Sequence, residues 1–206
     1  MYRLLKRVVI SGHPGTGTTT LVDKLALLYN LKPEQKIKVG DLFRENSKEK
    51  TGHDITSYYQ REITEDLSID NMQKELLSDP NPKVVYILES RLGGFFAQEI
   101  RDNTPPIVTV LMTTDDQVRF KRVFDRDRQK NPHISFDKYC AETKLRQEKD
   151  LKQWQEAYPR MHTDPLDPAN AALYDIHVDN TNLDIEQTVQ AVNSRLLESG
   201  AAEKTN

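Results

Sequence analysis

A glycine-rich stretch near the start of the chain, SGHPGTGTTT at 11–20, has residue types that suit phosphate binding. In the pattern G-x-x-x-x-G-K-[ST], backbone N–H groups cradle the phosphates, the lysine contacts their outer oxygens and the hydroxyl binds Mg²⁺. Gly12, Gly17 and Thr19 fit this pattern, but Thr18 stands at the lysine position. An ordinary glycine-rich turn with threonine helix caps is the alternative. The order of strand, loop and helix favours the phosphate site, with Thr19 as the Mg²⁺ ligand.

The uncharged Thr18 means that a compensating positive charge must come from elsewhere in the chain, because the lysine normally offsets charge that shifts during phosphoryl transfer. Arg119, Arg122 and Arg126 lie at i, i+3 and i+7 of a predicted helix and share one face. A solvated helix face paired with neighbouring aspartates is the alternative. The residues expected to line the phosphate site are Gly12, His13, Pro14, Gly15, Thr16, Gly17, Thr18, Thr19 and Thr20.

The following predicted helix has polar residues in a stripe. Glu142, Arg146, Asp150 and Trp154 recur at every fourth position. Simple pairing of the two carboxylates with Arg146 is one interpretation. Two arginine-bearing helices joined by a turn also predict a lid over a polyphosphate, and a lid excludes water from a transfer reaction.

Charged residues also follow the second and third predicted strands. Asp41 and Arg44 come after the second strand, and Glu89 and Arg91 come after the third. Ligands bind at the carboxyl edge of a parallel sheet, so these side chains are expected beside the glycine loop. Asp41 and Glu89 suit orienting a Mg²⁺-bound water or accepting from a base amino group, and Asp41 equally suits a helix cap.

Short β-like runs alternate with helical patterns along the chain, which predicts an α/β domain with a parallel sheet and helices on both faces. The third and fourth runs are almost continuously apolar and are expected to be internal strands. The five runs are 7–11, 36–39, 83–89, 107–112 and 174–179. We expect one domain over 1–198 and a flexible tail at 199–206.

Capping signals mark the predicted helices. A helix of about three turns follows the glycine loop, and Thr114 with Gln117 forms a capping box for the next. Ser135 caps a helix that runs to about residue 158, and Asp184 opens a last helix that ends near Gly200.

Composition excludes several classes of protein. The 206 residues include 29 basic and 32 acidic side chains, so the chain lacks the basic field typical of nucleic-acid binding. The single cysteine, Cys140, allows no internal disulfide and indicates a reducing compartment. No apolar stretch approaches a membrane span, and the five histidines show no metal-binding spacing. We expect a cytoplasmic monomer that acts on small molecules, without a membrane or nucleic-acid partner.

Several blocks taken together resemble the archaeal-type cytidylate kinases, which are P-loop nucleoside monophosphate kinases. They are SGHPGTGTTT, GDLFRE at 40–45, LESRLGG at 88–94, the predicted helix that carries Arg119, Arg122 and Arg126, and YDIHVDNTNLDIEQ at 174–187. The resemblance runs from about residue 6 to 195, and threonine is a known occupant of the lysine position in that family. It implies a three-layer α/β/α P-loop NTPase fold with a five-stranded parallel sheet, an acceptor-binding helical segment at about 40–80 and a helical lid at about 122–150.

The same resemblance implies transfer of phosphate from ATP, with Mg²⁺, to CMP and also to dCMP. It places Asp41, Phe43, Arg44, Asp70, Glu89 and Arg91 at the acceptor nucleotide. It casts Arg122, Arg126, Arg146 and Asp150 as lid or transfer-site residues. The candidates for catalysis are Thr18, Arg91, Arg122, Arg126 and Arg146.

The sequence departs from the family pattern at the lid turn 129–135, at a long segment over 159–172 and at Gln147, where an acid is common. Two other functions stay open. One is a P-loop kinase with another acceptor, which is AMP, UMP or a small-molecule hydroxyl. A hydroxyl acceptor would need Asp41 or Glu89 as a base. The other is a catalytically silent nucleotide-binding regulator, which is suggested by Thr18.

Overall fold

A five-stranded parallel sheet forms the centre of the protein in this computed structural model, which describes residues 1–42, 63–81, 83–101, 106–128 and 134–205. The strands in these ranges are β1 (Tyr2–Leu4), β2 (Arg7–Gly12), β3 (Lys36–Lys38), β4 (Ile87–Glu89), β5 (Ile107–Thr113), β6 (Ile176–Asp179) and β7 (Ala202–Lys204). The main sheet has the order β3-β4-β2-β5-β6, with every pair parallel. The predicted parallel sheet is confirmed, and β4 and β5 are internal as expected.

The longer helices in the described part of the chain are α1 (Thr18–Leu28), α2 (Ile63–Ser78), α3 (Gly93–Ile100), α4 (Asp116–Asp127), α5 (Phe136–Ala157) and α6 (Ile185–Glu198). The hydroxyl of Ser135 accepts from the backbone N–H of Lys138 and caps α5, as predicted. Asp184 and Gln187 form the predicted capping box of α6. The cap of α4 was predicted wrongly, because Asp115 and not Thr114 accepts from the first-turn N–H groups.

The two faces of the sheet are covered by different helices, which gives three layers. On one face, Leu21 and Leu25 of α1 and Val192 of α6 pack against β2. On the other face, Leu77 of α2 and Phe96 of α3 pack against residues such as Leu88. Side chains alternate between faces along a strand, so a run buried on both sides is apolar throughout.

The end of the chain differs from the flexible tail that the sequence predicts. Residues Ala202–Lys204 form β7, which pairs antiparallel with β1 in a separate two-stranded sheet. Gly200, with a φ of 64°, makes the turn between α6 and β7. A partner strand at the opposite end of the sequence orders this segment, and local sequence patterns do not reveal such a partner.

Arg7 is a buried charge at the start of the central strand. Its side chain is only 1% exposed, and its guanidinium donates to the carbonyl oxygens of Leu77, Asn81 and Val84 at 3.1, 2.7 and 3.2 Å. It also lies 5.7 Å from the ring centre of Tyr86. Arg7 therefore fastens the end of α2 and the following loop to β2.

Among the described residues, no helix is long and apolar enough to cross a membrane. Cys140 lies partly buried on α5 and is unpaired.

We expect Arg7→Met to lower the free energy of unfolding by about 3 kcal/mol, because three carbonyl groups would lose a charged donor inside the protein. Urea denaturation monitored by circular dichroism measures this change. Arg3→Met is the matched control, because the Arg3 side chain is 71% exposed and its ion pair with Glu203 is long, at 3.9 Å. The control should change stability by less than about 0.5 kcal/mol. Equal losses in the two variants would contradict an anchoring role for Arg7.

Candidate active site

The glycine loop lies between the end of β2 and the start of α1. Gly15 and Gly17 have φ values of 93° and 84°, a backbone region that suits glycine. The loop turns back on itself, since the N–H of Thr16 donates to the carbonyl of His13 at 3.1 Å. Gly17 is the N-cap of α1 and has no side chain to satisfy the first-turn N–H groups. This arrangement of N–H groups at a helix N-terminus is suited to binding an anion.

Thr18 and Thr19 both contact the carboxylate of Glu89. Their hydroxyls donate to the same oxygen of Glu89 at 2.7 and 2.6 Å. Glu89 ends β4, and its backbone pairs with Ile10 of β2, so sheet register places it beside the loop. The side chain at the lysine position therefore contacts an acid instead of supplying a cation.

These groups fit a Mg²⁺ ion by their chemistry, because Mg²⁺ prefers carboxylate and hydroxyl oxygens and usually takes few ligands from the protein. Thr19 and Glu89 supply two such oxygens at the edge where phosphates would lie. Over the described ranges, no group of three or more His, Cys, Asp or Glu side chains could hold a metal. The site thus suits an ion that shares its ligands with phosphate and water.

Arg91 and Arg146 converge on Asp150, which lies on α5. Nη2 of Arg91 donates to the Asp150 carboxylate at 2.7 Å, and Nε of Arg146 lies 4.0 Å from the same oxygen. The Arg91 guanidinium also stacks 4.4 Å from the ring centre of Trp154. Its Nε is buried without a hydrogen-bond partner in the described part of the chain. The predicted stripe on α5 is therefore a site where two arginines surround one carboxylate.

The three arginines of α4 have different surroundings, although they share one face. Arg119 is buried and donates to Asp116 and to Gln147 of α5. Arg122 lies 3.3 to 3.4 Å from oxygens of Asn180. Arg126 is 69% exposed and pairs with the adjacent Asp127 at 2.9 Å. Its hydrogen bond to Asp127 raises the pKa of Arg126. Arg122 and Arg126 are thus accessible cations, whereas Arg119 is a packing residue.

Asn180 was not predicted from the sequence as a site residue. It directly follows β6, and its amide donates to the carbonyl of Thr16 in the glycine loop at 2.8 Å. Its side-chain oxygen accepts from Thr114, and its backbone N–H donates to Thr113. Its position at the carboxyl end of a parallel strand is the signal that identifies it.

Asp70 lies inside a buried polar network. Its carboxylate accepts from the hydroxyl of Tyr158 at 2.6 Å and from the amide of Gln73 at 2.9 Å. Gln73 in turn accepts from the hydroxyl of Ser90, which follows β4. Gln73 and Ser90 were missed, because polar residues on a helix and after a strand carry no distinctive sequence signal. The network joins α2, the end of α5 and the strand that carries Glu89.

The remaining predicted residues surround this region. Asp41 lies in a helical turn at 39–42 and lines a cavity of about 310 Å³ with Pro33 and Ile37. Phe43 and Arg44 lie outside the described residues, as does most of the lid turn 129–135. Pro14 and Thr20 are exposed, and the hydroxyl of Thr16 donates to the carbonyl of His13 at 2.8 Å.

The strand order, the glycine loop and the flanking helices define a nucleotide-binding P-loop α/β protein of the kinase type. The chain belongs to the AAA_18 family, described as an AAA domain, whose match covers residues 8–153. It is similar over most of its length to archaeal proteins named cytidylate kinase. The relative from Methanosarcina barkeri is 29% identical over 176 residues, which cover 84% of this chain and 87% of that protein. The relative from Methanocaldococcus jannaschii is 28% identical over 194 residues, which cover 92% and 96%.

Solved structures share the fold at lower identity. A gluconokinase from Sinorhizobium meliloti 1021 matches with a TM-score of 0.55 at 13% identity, over 96% of this chain and 94% of that chain. A shikimate kinase from Acinetobacter baumannii in complex with shikimate matches with a TM-score of 0.55 at 15% identity, over 95% and 94%. At such identities the similarity concerns the fold alone.

We expect Gly15→Ala to destabilise the protein more than Gly17→Ala. Both substitutions put a side chain at a positive φ, which costs about 1 kcal/mol. Only at Gly15 would the new Cβ collide with the backbone carbonyl of Arg119 and lie 2.8 Å from Val123, whereas Gly17 has open space. Thermal unfolding of the two variants measures the difference, expected to be about 2 kcal/mol or more. Equal destabilisation would contradict close packing of the loop on α4.

Proposed function

We propose that this nucleoside monophosphate kinase transfers the γ-phosphoryl group of ATP to CMP, and also to dCMP, giving ADP and the nucleoside diphosphate. The family match and the archaeal relatives support the kinase class. The CMP acceptor is inferred from the name of those relatives and from the sequence blocks that resemble their family. A cytoplasmic location and a monomeric state stay predictions of the sequence.

The observation that carries the proposal is the position of Arg91 and Arg146 around Asp150. Guanidinium groups that surround a carboxylate are also suited to a phosphate, because both anions offer paired oxygens to the same donors. This pair lies on the same sheet edge as the glycine loop, since Arg91 follows β4 by two residues. Two arginines at this position therefore suit an acceptor that itself carries a phosphate group.

On the donor side, the glycine loop would hold the ATP phosphates through its backbone N–H groups. Thr19 and Glu89 would hold Mg²⁺, which supplies charge neutralisation between the donor phosphates when it is bound. Arg122 and Arg126 of the lid would approach the donor and replace the charge that Thr18 does not provide. Thr18 would act by holding Glu89 in place.

On the acceptor side, Arg44 and Arg91 would bind the CMP phosphate, with Asp41 and Phe43 near the nucleotide. Asp70 would act near the base, through the buried network that it shares with Gln73. The attacking oxygen belongs to a phosphate that is largely ionised near neutral pH, so the reaction needs no general base. Catalysis then consists of positioning and charge stabilisation.

A coupled assay for ADP release over several acceptors tests this function. The acceptors are CMP, dCMP, UMP, AMP, shikimate and gluconate, each with ATP and Mg²⁺. We expect CMP to give the highest kcat/KM. A preference for AMP or UMP would overturn the substrate but keep the mechanism. Turnover of only shikimate or gluconate would favour a P-loop kinase that acts on a small-molecule hydroxyl. Tight ATP binding without any turnover would favour the silent regulator.

We expect Thr18→Lys to reduce kcat for CMP by about 10- to 100-fold, a loss typical of one misplaced polar group at a transition state. The ammonium would lie beside Glu89 and form an ion pair that withdraws this carboxylate from the Mg²⁺ site. Steady-state kinetics at saturating ATP measures the change. Thr18→Ser keeps the hydroxyl and should retain the rate within about threefold. A marked rise in kcat for Thr18→Lys would mean that the natural loop lacks a cation that the lid does not replace.

A further inference from the structure

His13 of the glycine loop contacts two segments that lie far from it in the sequence. Its Nε2 lies 3.1 Å from a carboxylate oxygen of Asp164, in the loop between α5 and β6. Its Nδ1 lies 3.5 Å from the side-chain nitrogen of Gln147, in the middle of α5. Both His13 and Asp164 are largely buried, with side-chain exposures of 15% and 21%. One imidazole thus joins the glycine loop, the lid helix and the loop after it.

The orientation of the Gln147 amide is set by a second contact. Its oxygen accepts from Nη2 of Arg119 at 3.1 Å, so its nitrogen must face His13. Arg119 has no acceptor to offer, and a flipped amide would place two donors against each other. An NH₂ group facing Nδ1 requires Nδ1 to be an acceptor. The contact with Gln147 is therefore compatible only with the neutral imidazole that carries its proton on Nε2.

Both carboxylate oxygens of Asp164 have a partner. One carboxylate oxygen accepts from the backbone N–H of Leu166 at 2.9 Å, while the other faces His13. Burial would raise the pKa of Asp164, but the contact with His13, the Leu166 N–H and the charge of Arg91 outweigh burial and lower it. Asp164 is thus ionised at neutral pH and accepts the Nε2 proton of His13.

We propose that His13 is a positioning residue, whose neutral imidazole fastens the lid helix to the phosphate loop through Gln147 while it donates to Asp164. This inference rests on the proposed kinase function, in which the lid covers the donor nucleotide. Protonation of Nδ1 places a second donor against the Gln147 amide and releases the lid contact. Protonation leaves the contact with Asp164 in place.

The charged groups around His13 and Asp164 come from three places. One is the segment after β4, whose Arg91 helps to lower the pKa of Asp164 by its charge. Asp164 and Asp167 belong to the loop after α5, and Asp116 and Arg119 belong to α4. Asp116 and Arg119 neutralise each other through an ion pair. Gln147, the contact from α5, carries no charge. These residues, apart from Arg91 and Asp164, line a cavity of about 290 Å³ beside the phosphate loop. A proton on Nδ1 removes the acceptor that faces the Gln147 amide, so the lid contact is expected to be weaker at low pH than at high pH.

Replacing Gln147 by glutamate provides a test in which the pH dependence should change sign. A carboxylate at this position still accepts from Arg119, and it also accepts from a protonated Nδ1 of His13. The lid contact in Gln147→Glu is therefore strongest at low pH, whereas in the wild type it is strongest at high pH. His13→Ala removes the imidazole and should show neither trend.

The measurement is the dissociation constant of adenylyl imidodiphosphate with Mg²⁺, obtained by calorimetry between pH 5.5 and 8.5. The ratio of variant to wild type cancels the titration of the nucleotide itself, whose terminal phosphate also ionises in this range. We expect Gln147→Glu to bind more weakly than the wild type at pH 8.5 and more tightly at pH 5.5. The ratio should change by about two- to tenfold, the effect of one hydrogen bond. Lys152→Gln is the control, because it changes the charge of α5 by the same amount at an exposed position.

The two proposals fail separately. Binding of the ATP analogue needs no acceptor, so a ratio that changes with pH as expected supports the role of His13 even if CMP is not phosphorylated. A ratio that is flat with pH, or one that Lys152→Gln reproduces, would overturn the role of His13 even if CMP is the acceptor. A last comparison adds His13→Ala to both Gln147→Glu and Lys152→Gln. If the ratio of the two dissociation constants still changes with pH in these double variants, the role of His13 is overturned as well.

Discussion

Parallel hydrogen bonding of β2 to both β4 and β5 is the constraint on which the candidate site depends. Ile10 pairs with Glu89, and Gly12 pairs with Met112. This pairing brings the glycine loop, the Glu89 carboxylate and the start of α4 to one edge of the sheet. A slip of one residue in a strand moves each side chain to the opposite face. The contact of Glu89 with both threonines therefore requires this register, and the buried apolar residues of β2 and β4 on both faces maintain it.

The absence of a lysine in the loop changes how charge is distributed around the site. Thr18 and Thr19 leave the Glu89 carboxylate without a cationic partner in the loop. The positive charges lie instead on Arg91, which follows β4, and on arginines of α4 and α5. These arginines are held by Asp150, Asn180 and Asp127, which are polar contacts that a more strongly charged ligand can replace. In the proposed mechanism, the site would gain its cations when the lid helices and the ligands come together.

Polar side chains join the segments around the site where apolar packing alone would not fix their position. Arg7 fastens the end of α2 to the central strand, and Asp70 joins α2 to Tyr158 at the end of α5. His13 joins the phosphate loop to α5 and to the loop that follows it. Hydrogen bonds inside a protein are directional and costly to leave unmade, so each of them specifies one arrangement of the joined segments.

Local sequence patterns were enough to predict the alternation of strands and helices, the glycine loop before α1 and the caps at Ser135 and Asp184, because these patterns depend on residues close together in the chain. The sequence also indicated that Glu89 lies beside the loop, since parallel strands share a carboxyl edge. Long-range packing, by contrast, sets which arginine of α4 is buried, what Asp70 and His13 contact, and that the tail pairs with β1. Those outcomes depend on partners distant in sequence, and neither periodicity nor spacing carries information about them.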